Sequence, residues 1–254
     1  MSYFEVIQQE RIVKLILNRP PVNALSLEVL EELRMHLEKV NNHKENRVLI
    51  ITSCGEKFFA AGADIKGLKN VSVEEGKVIN QQFLHTFDQL AKLPIPTICA
   101  VNGLALGGGT ELALACDIRI ASENAQLGLP ETNLGLIPGG GGTQRMPRIV
   151  SIGRAKDLLF TGRRVSAQEA LEIGLVEYVV PYHELSDFSE RLAKTISEKS
   201  PNAIRTIKQA IMSGMNTDLP TGLEIELELG SHCFGSEDFQ KGISAFLEKR
   251  KPEF

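Results

Sequence analysis

Asn102-Gly103-Leu104-Ala105-Leu106-Gly107-Gly108-Gly109-Thr110-Glu111-Leu112 follows directly on the apolar run Thr97-Ile98-Cys99-Ala100-Val101. That run is short, is preceded by Pro96, and reads as a buried strand. The three consecutive glycines then open a short apolar helix over 108–116. A strand, a glycine turn and a helix in that order leave unpaired backbone N–H groups at the helix N-terminus, where developing negative charge is stabilised. Glu111 falls in the first turn of this helix. On this segment alone its carboxylate serves equally well as a partner of the helix dipole.

The same alternation extends in both directions. Residues 3–7 and 11–17 read as strands, the second ending at Asn18-Arg19-Pro20-Pro21. Ser26 is a suitable N-cap for a helix that places Leu27, Leu30, Leu33, Leu37 and Val40 at helical spacing. Val48-Leu49-Ile50-Ile51-Thr52 reads as another buried strand, and a helix covers 73–92 before Pro94 and Pro96. Beyond the glycine turn come strands at 117–121 and 176–180, then helices over 183–199, 201–214 and 236–249. Strands alternating with helices predict an α/β fold. Strand–strand–helix units recur without a clear sequence repeat. The last strand precedes Lys199-Ser200-Pro201, so the expected organisation is a core over 1–199 and a helical region over 200–254.

Residues 219–229 give two answers. Leu223, Ile225, Leu227 and Leu229 alternate with glutamates, as in a strand, yet Leu and Glu favour helix. As a helix, Leu219, Leu223 and Leu227 share one face and Ile225 and Leu229 another. Two apolar faces require more than one packing partner, and a neighbouring subunit is one candidate.

Two further segments carry chemistry. Phe58-Phe59-Ala60-Ala61-Gly62-Ala63-Asp64-Ile65 follows a buried strand, and its small residues let a ligand approach the backbone. By composition it is also an ordinary tight surface turn. Leu129-Pro130-Glu131-Thr132-Asn133-Leu134-Gly135-Leu136-Ile137-Pro138-Gly139-Gly140-Gly141-Gly142-Thr143-Gln144-Arg145 has four consecutive glycines, but Thr-Gln-Arg follows them, not the Lys-Ser/Thr of a phosphate loop. Glu131, after a proline, also suits the start of a helix. Together the segments supply two turns of backbone donors and two carboxylates, the equipment for forming and protonating an enolate. No serine elbow or cysteine–histidine motif competes with that reading.

Composition narrows the classes. The chain has 254 residues, 43% hydrophobic and 24% charged, with a formal net charge of −4, ordinary for a globular protein. No basic arm points to nucleic acid. No apolar run reaches the ~20 residues of a membrane span, and the N-terminus does not read as a signal peptide. Cys54, Cys99, Cys116 and Cys233 lack metal-ligand or disulfide-framework spacing, so reduced packing cysteines in a cytoplasmic protein are expected, with no metal site.

At these residues the chain resembles the enoyl-CoA hydratase (crotonase) superfamily. The likeness begins at Leu17-Asn18-Arg19-Pro20, continues through Ala60-Ala61-Gly62-Ala63-Asp64, is strongest at Asn102–Asp117 and Pro130–Arg145, and closes at Ala245-Phe246-Leu247-Glu248-Lys249-Arg250-Lys251-Pro252. It implies a crotonase-like spiral of strand–strand–helix units with a C-terminal helical trimerisation region, assembled as a trimer or a dimer of trimers. It implies that the N–H groups of Ala63 and Gly108 hold the thioester oxygen. Glu111 and Glu131, twenty residues apart as in the hydratases, would be the catalytic carboxylates that share a water, with Gly139 a backbone donor nearby. Ala61, Asp64 and Ile65 correspond to backbone that receives the CoA adenine, and Phe246 and Lys249 to residues that reach a neighbouring subunit's CoA.

Two positions depart from the family pattern. Pro20-Pro21-Val22-Asn23 stands where relatives often carry a basic residue near CoA, and Thr110 where hydratases often have cysteine. The resemblance implies an acyl-CoA thioester as substrate and no cofactor beyond its CoA. The expected reaction is syn hydration of a trans-2-enoyl-CoA to a 3-hydroxyacyl-CoA. The rival readings are a double-bond isomerase or another crotonase-type acyl-CoA enzyme and, outside the enzymes, an RNA-binding or scaffold relative.

Overall fold

The computed structural model describes residues 2–64 and 69–254. Strands β1 (Phe4–Gln9) and β2 (Ile12–Leu17) form an antiparallel hairpin. Beside β2 lie β3 (Val48–Ser53), β5 (Thr97–Val101), β7 (Ile118–Ser122) and β10 (Tyr178–Val180), all parallel. A second sheet is built from three-residue strands: β4 (Phe58–Ala60), β6 (Leu104–Leu106) and β8 (Gln126–Gly128) run parallel, with β9 (Arg164–Ser166) antiparallel at the edge.

The two sheets advance together. Each of β3, β5 and β7 hands the chain to the next strand of the small sheet, so every turn of the chain adds one strand to each. Helices α1 (Leu27–Asn42), α2 (Val73–Ala91) and α3 (Gly108–Leu114) close successive turns. This is the expected spiral of strand–strand–helix units. Helices α4 (Gly142–Ile149), α5 (Ile152–Thr161), α6 (Ala167–Glu172) and α7 (Leu185–Ser197) complete it.

Continuous apolar strands arise because both faces of the large sheet are covered. Along β3, Leu49 and Ile51 enter the main core, whereas Val48 and Ile50 enter a second core closed by Leu185 and Ala193 of α7. Helix α1 starts at Ser26, whose hydroxyl accepts from Val29 N at 3.4 Å, and buries Val29, Leu30, Leu33, Leu37 and Val40. Helix α2 starts in a reciprocal capping box of Ser72 and Glu75.

Three readings needed correction. Phe58–Ala60 and Leu104–Leu106, taken as turn, are strands of the small sheet, and the strands Gln126–Gly128 and Arg164–Ser166 gave no signal. Three residues are too few for an alternation to register. The expected helix over 183–199 divides into a 3-10 turn, Tyr182–Glu184, and α7.

Past Ser200, helices α8 (Pro201–Gly214), α9 (Leu219–Cys233) and α10 (Glu237–Leu247) follow without further strands. The ambiguous stretch is helical, capped by Asp218, which accepts from Thr221 N at 3.1 Å. Helices α8 and α9 pack closely where Gly214 meets Gly222. Ile225 and Leu229 are half-buried, whereas Leu219 and Leu227 are 75% and 71% exposed.

Candidate active site

Seven-residue α3 is buried along its whole length, and glycine makes that possible. A Cβ on Gly109 would collide with the Ala60 carbonyl oxygen and lie 2.9 Å from the Ala60 Cβ, so the helix could not press against β4. Gly107 caps the helix at φ 50°, ψ −123°, backbone closed to other residues, and donates its N–H to Gly128 O at 2.9 Å. Thr110 anchors the helix from within: its hydroxyl lies 2.8 Å from Ala105 O and 3.1 Å from Gly128 N, tying α3 to β6 and β8. The helix N-terminus, beginning with Gly108, opens on a cavity of about 530 Å³.

The turn after β4 forms the facing wall. Leu25 donates to Gly62 O at 2.8 Å and accepts from Asp64 N at 2.9 Å. Both backbone groups of Leu25 are thus spent on the residues flanking Ala63, which leaves the Ala63 N–H turned away from Leu25. Ala63 and Gly108 both line the cavity. The two turns are adjacent, since a Cβ on Gly107 would stand 3.7 Å from Gly62 Cα.

Both glutamates line the same cavity. Glu111 is 3% exposed. Its Oε1 accepts from Gly140 N and Gly142 N, each at 2.8 Å. Burial pushes its carboxyl above the ordinary value; the Gly142 and Gly140 donors and the Arg145 guanidinium oppose that shift. Glu131 begins a one-turn 3-10 helix, Glu131–Leu134. Its Oε1 lies 2.9 Å from where a Cβ on Gly107 would stand, and its buried Oε2 has no hydrogen-bond partner among the described residues. Burial, reinforced by the charge of Glu111, pushes Glu131 up to about 7. One acid of the pair is therefore held by donors and the other stands bare, the kind of divergence that separates base from acid.

The remaining expected residues divide. Ala61, Asp64 and Gly139 line the cavity. Asp64 also pairs with Arg19 at 2.7 Å, and Arg19 donates to Ala24 O at 2.9 Å. Ile65 lies outside the described residues. Phe246, 77% exposed on α10, and Lys249 just past it do not line the cavity.

Sequence reasoning missed the apolar wall formed by Ile79 and Phe83 of α2 with Leu136 and Ile137. The four-residue spacing of Ile79 and Phe83 on a helix was the available signal. Arg145 was also missed. It donates to Gly140 O at 2.8 Å and stands 3.9 Å from Asp88. Among the described residues no group of three or more His, Cys, Asp or Glu could hold a metal ion, and no helix is long and apolar enough to cross a membrane.

Paired sheets advancing in a spiral, with a glycine-opened helix over an apolar cavity, define a protein of the crotonase superfamily. The chain belongs to the enoyl-CoA hydratase/isomerase family, whose pattern matches residues 8–254. It is 43% identical to a short-chain-enoyl-CoA hydratase of Clostridium acetobutylicum, over 97% of this chain and 95% of that protein. It is 42% identical to a crotonyl-CoA hydratase of Syntrophomonas wolfei, over 100% and 99% respectively. The solved structure of an enoyl-CoA hydratase from Bacillus anthracis superposes with a TM-score of 0.96 at 46% identity, covering 100% of this chain and 99% of that one.

Proposed function

We propose that this protein is an enoyl-CoA hydratase that adds water reversibly to a trans-2-enoyl-CoA and yields a 3-hydroxyacyl-CoA. The observation that carries the reading is the unequal pair of carboxylates in one cavity. Glu111 is held as an acceptor by two N–H groups, and Glu131 is pushed up to about 7 with a bare Oε2.

In the proposed reaction the N–H groups of Ala63 and Gly108 receive the thioester oxygen. Glu111 Oε1 is occupied by Gly140 and Gly142, and Oε2 takes a proton from water as its oxygen bonds to the β-carbon. The electron pair of the double bond moves toward the thioester, and the resulting enolate charge falls on the two donors, which need no reorganisation to meet it. Glu131 then gives its proton to the α-carbon. Dehydration retraces the same steps.

Ala61, Asp64 and Gly139 are assigned to substrate binding from the cavity itself, and Ile65, Phe246 and Lys249 from family likeness. The C-terminal region, 200–254, is assigned to oligomerisation as a trimer or a dimer of trimers. Its exposed Ile207, Ile211, Leu219, Leu223 and Leu227 support this. CoA enters as part of the substrate, and the mechanism calls on no further cofactor. The free thiols of Cys54, Cys99, Cys116 and Cys233 suit the reducing cytoplasm.

The test is hydration of crotonyl-CoA followed by loss of enone absorbance. Saturable turnover that Glu111→Gln abolishes supports the reading. A folded protein that binds CoA thioesters without consuming crotonyl-CoA overturns it.

A further inference from the structure

The proposed mechanism gives no part to Arg145, although this cation is substantially removed from water. Burial lowers its own pKa, so the fold carries a cost for keeping it charged. Its guanidinium donates to Gly140 O at 2.8 Å, while Gly140 N donates to Glu111 Oε1, also at 2.8 Å. Gly140 therefore links the two side chains, offering its carbonyl to the cation and its N–H to the carboxylate. Between them and Gly142, the second donor to Glu111, lies Gly141 at φ 109°. A Cβ there would overlap the Arg145 guanidinium, and one on Gly140 would stand 2.8 Å from Glu111 Oε2. The four-glycine run lets backbone pass between an arginine and a glutamate at distances a side chain would forbid.

We infer that Arg145 is the positioning residue for the catalytic base: it holds the 139–142 turn so that two N–H groups converge on Glu111, and it sets a positive charge on the far side of that turn. The inference rests on the proposed reading of Glu111 as base. Among the described residues, the charged groups around Glu111 come from three elements. Arg145 faces it from α4 and Glu131 from the 3-10 turn, while Asp88 of α2 stands behind Arg145 and is itself paired with Lys92 at 2.6 Å. Arg19 and Asp64 line the same cavity as a pair. Among the described residues Arg145 is thus the cation whose charge opposes the effect of burial on Glu111, and Asp88 partly offsets it.

That arrangement predicts shifts of opposite sign. Loss of the cation favours the neutral form of Glu111 and moves the acid limb of the kcat/KM profile to higher pH. Loss of the Asp88 charge strengthens the field of Arg145 and moves the limb to lower pH. The experiment measures kcat/KM for crotonyl-CoA from about pH 5 to about pH 9 in the wild type, Arg145→Met, Arg145→Lys and Asp88→Asn. Arg145→Met should raise the limb by about one pH unit, and Arg145→Lys should return it toward wild type. Asp88→Asn, at a half-exposed site that leaves the core intact, should lower it. Unshifted limbs in both Arg145→Met and Asp88→Asn overturn the inference and leave Arg145 a structural residue. If Arg145→Met does not fold, the direction in Asp88→Asn decides. A wild type that fails to hydrate crotonyl-CoA, or a Glu111→Gln variant with full turnover, refutes the hydratase reading instead, and this inference falls with it.

Discussion

Helix α3 and helix α9 differ in a direction their compositions do not suggest. Every residue of α3 is buried, Glu111 included, whereas α9 buries none, although it carries Leu219, Leu223, Ile225, Leu227 and Leu229. Burying a carboxylate disfavours its charged form, and leaving a leucine face in water forgoes roughly 1.5–3 kcal/mol per side chain. Each helix therefore departs from what stability alone would select, and such departures are expected where function has intervened. In α3 the buried carboxylate fits the chemistry proposed for the cavity. In α9 the exposed face fits assembly between protomers.

The largest expected effects lie on the α3 side. Glu131→Gln keeps the shape of the side chain but cannot act as an acid, so crotonyl-CoA turnover should fall by ~10²–10⁴ while CoA-thioester affinity holds. Near-normal turnover would remove Glu131 from the chemistry, and weakened binding with unchanged turnover would make it a positioning residue. Next comes Gly108→Pro, which deletes the N–H proposed as an oxyanion donor and should cost ~10²–10³ in rate. Because proline also disturbs the turn, a crystal with a non-hydratable CoA thioester is the cleaner check. Its carbonyl oxygen should lie within hydrogen-bonding distance of both Ala63 N and Gly108 N, and an oxygen facing solvent or side chains would sink every enolate reading of the cavity.

On the α9 side, the double variant Leu223→Glu and Leu227→Glu should lower the light-scattering mass from that of an oligomer to that of a single chain. A wild type that is monomeric at micromolar concentration and fully active would show the exposed face to be no interface.

The smallest expected effect returns to the first region. The folded-state pKa of Glu131 is raised to about 7. Its contribution is therefore intact below the unfolded value of about 4.3 and is lost as pH rises toward 7. Glu131→Gln should accordingly be more heat-stable than wild type at about pH 8, by about 2–4 °C in Tm, with the gap closing near about pH 4.5. An equal gap at both pH values would mean that burial of the ionised carboxylate is not its cause.

Sequence alone determined the strands of the large sheet and the helices that cover it, and it singled out both glutamates as candidates. Those elements are long enough to carry a period: α1 repeats its leucines at three and four residues, and the strands β3 and β5 are unbroken apolar runs that only a doubly covered sheet can bury. The small sheet was not legible, because strands as short as Phe58–Ala60 and Leu104–Leu106 are defined by the neighbours that pair with them. Nor did spacing place Glu111 and Glu131 in one cavity, or bring Arg145 against Gly140 O. Tertiary structure decided those points, because burial and electrostatic environment depend on which backbone arrives from elsewhere in the chain. Gly140 and Gly142 bring N–H groups to Glu111 from about thirty residues downstream, whereas Glu131 Oε2 meets no partner among the described residues. Two identical side chains thus acquire different acidities.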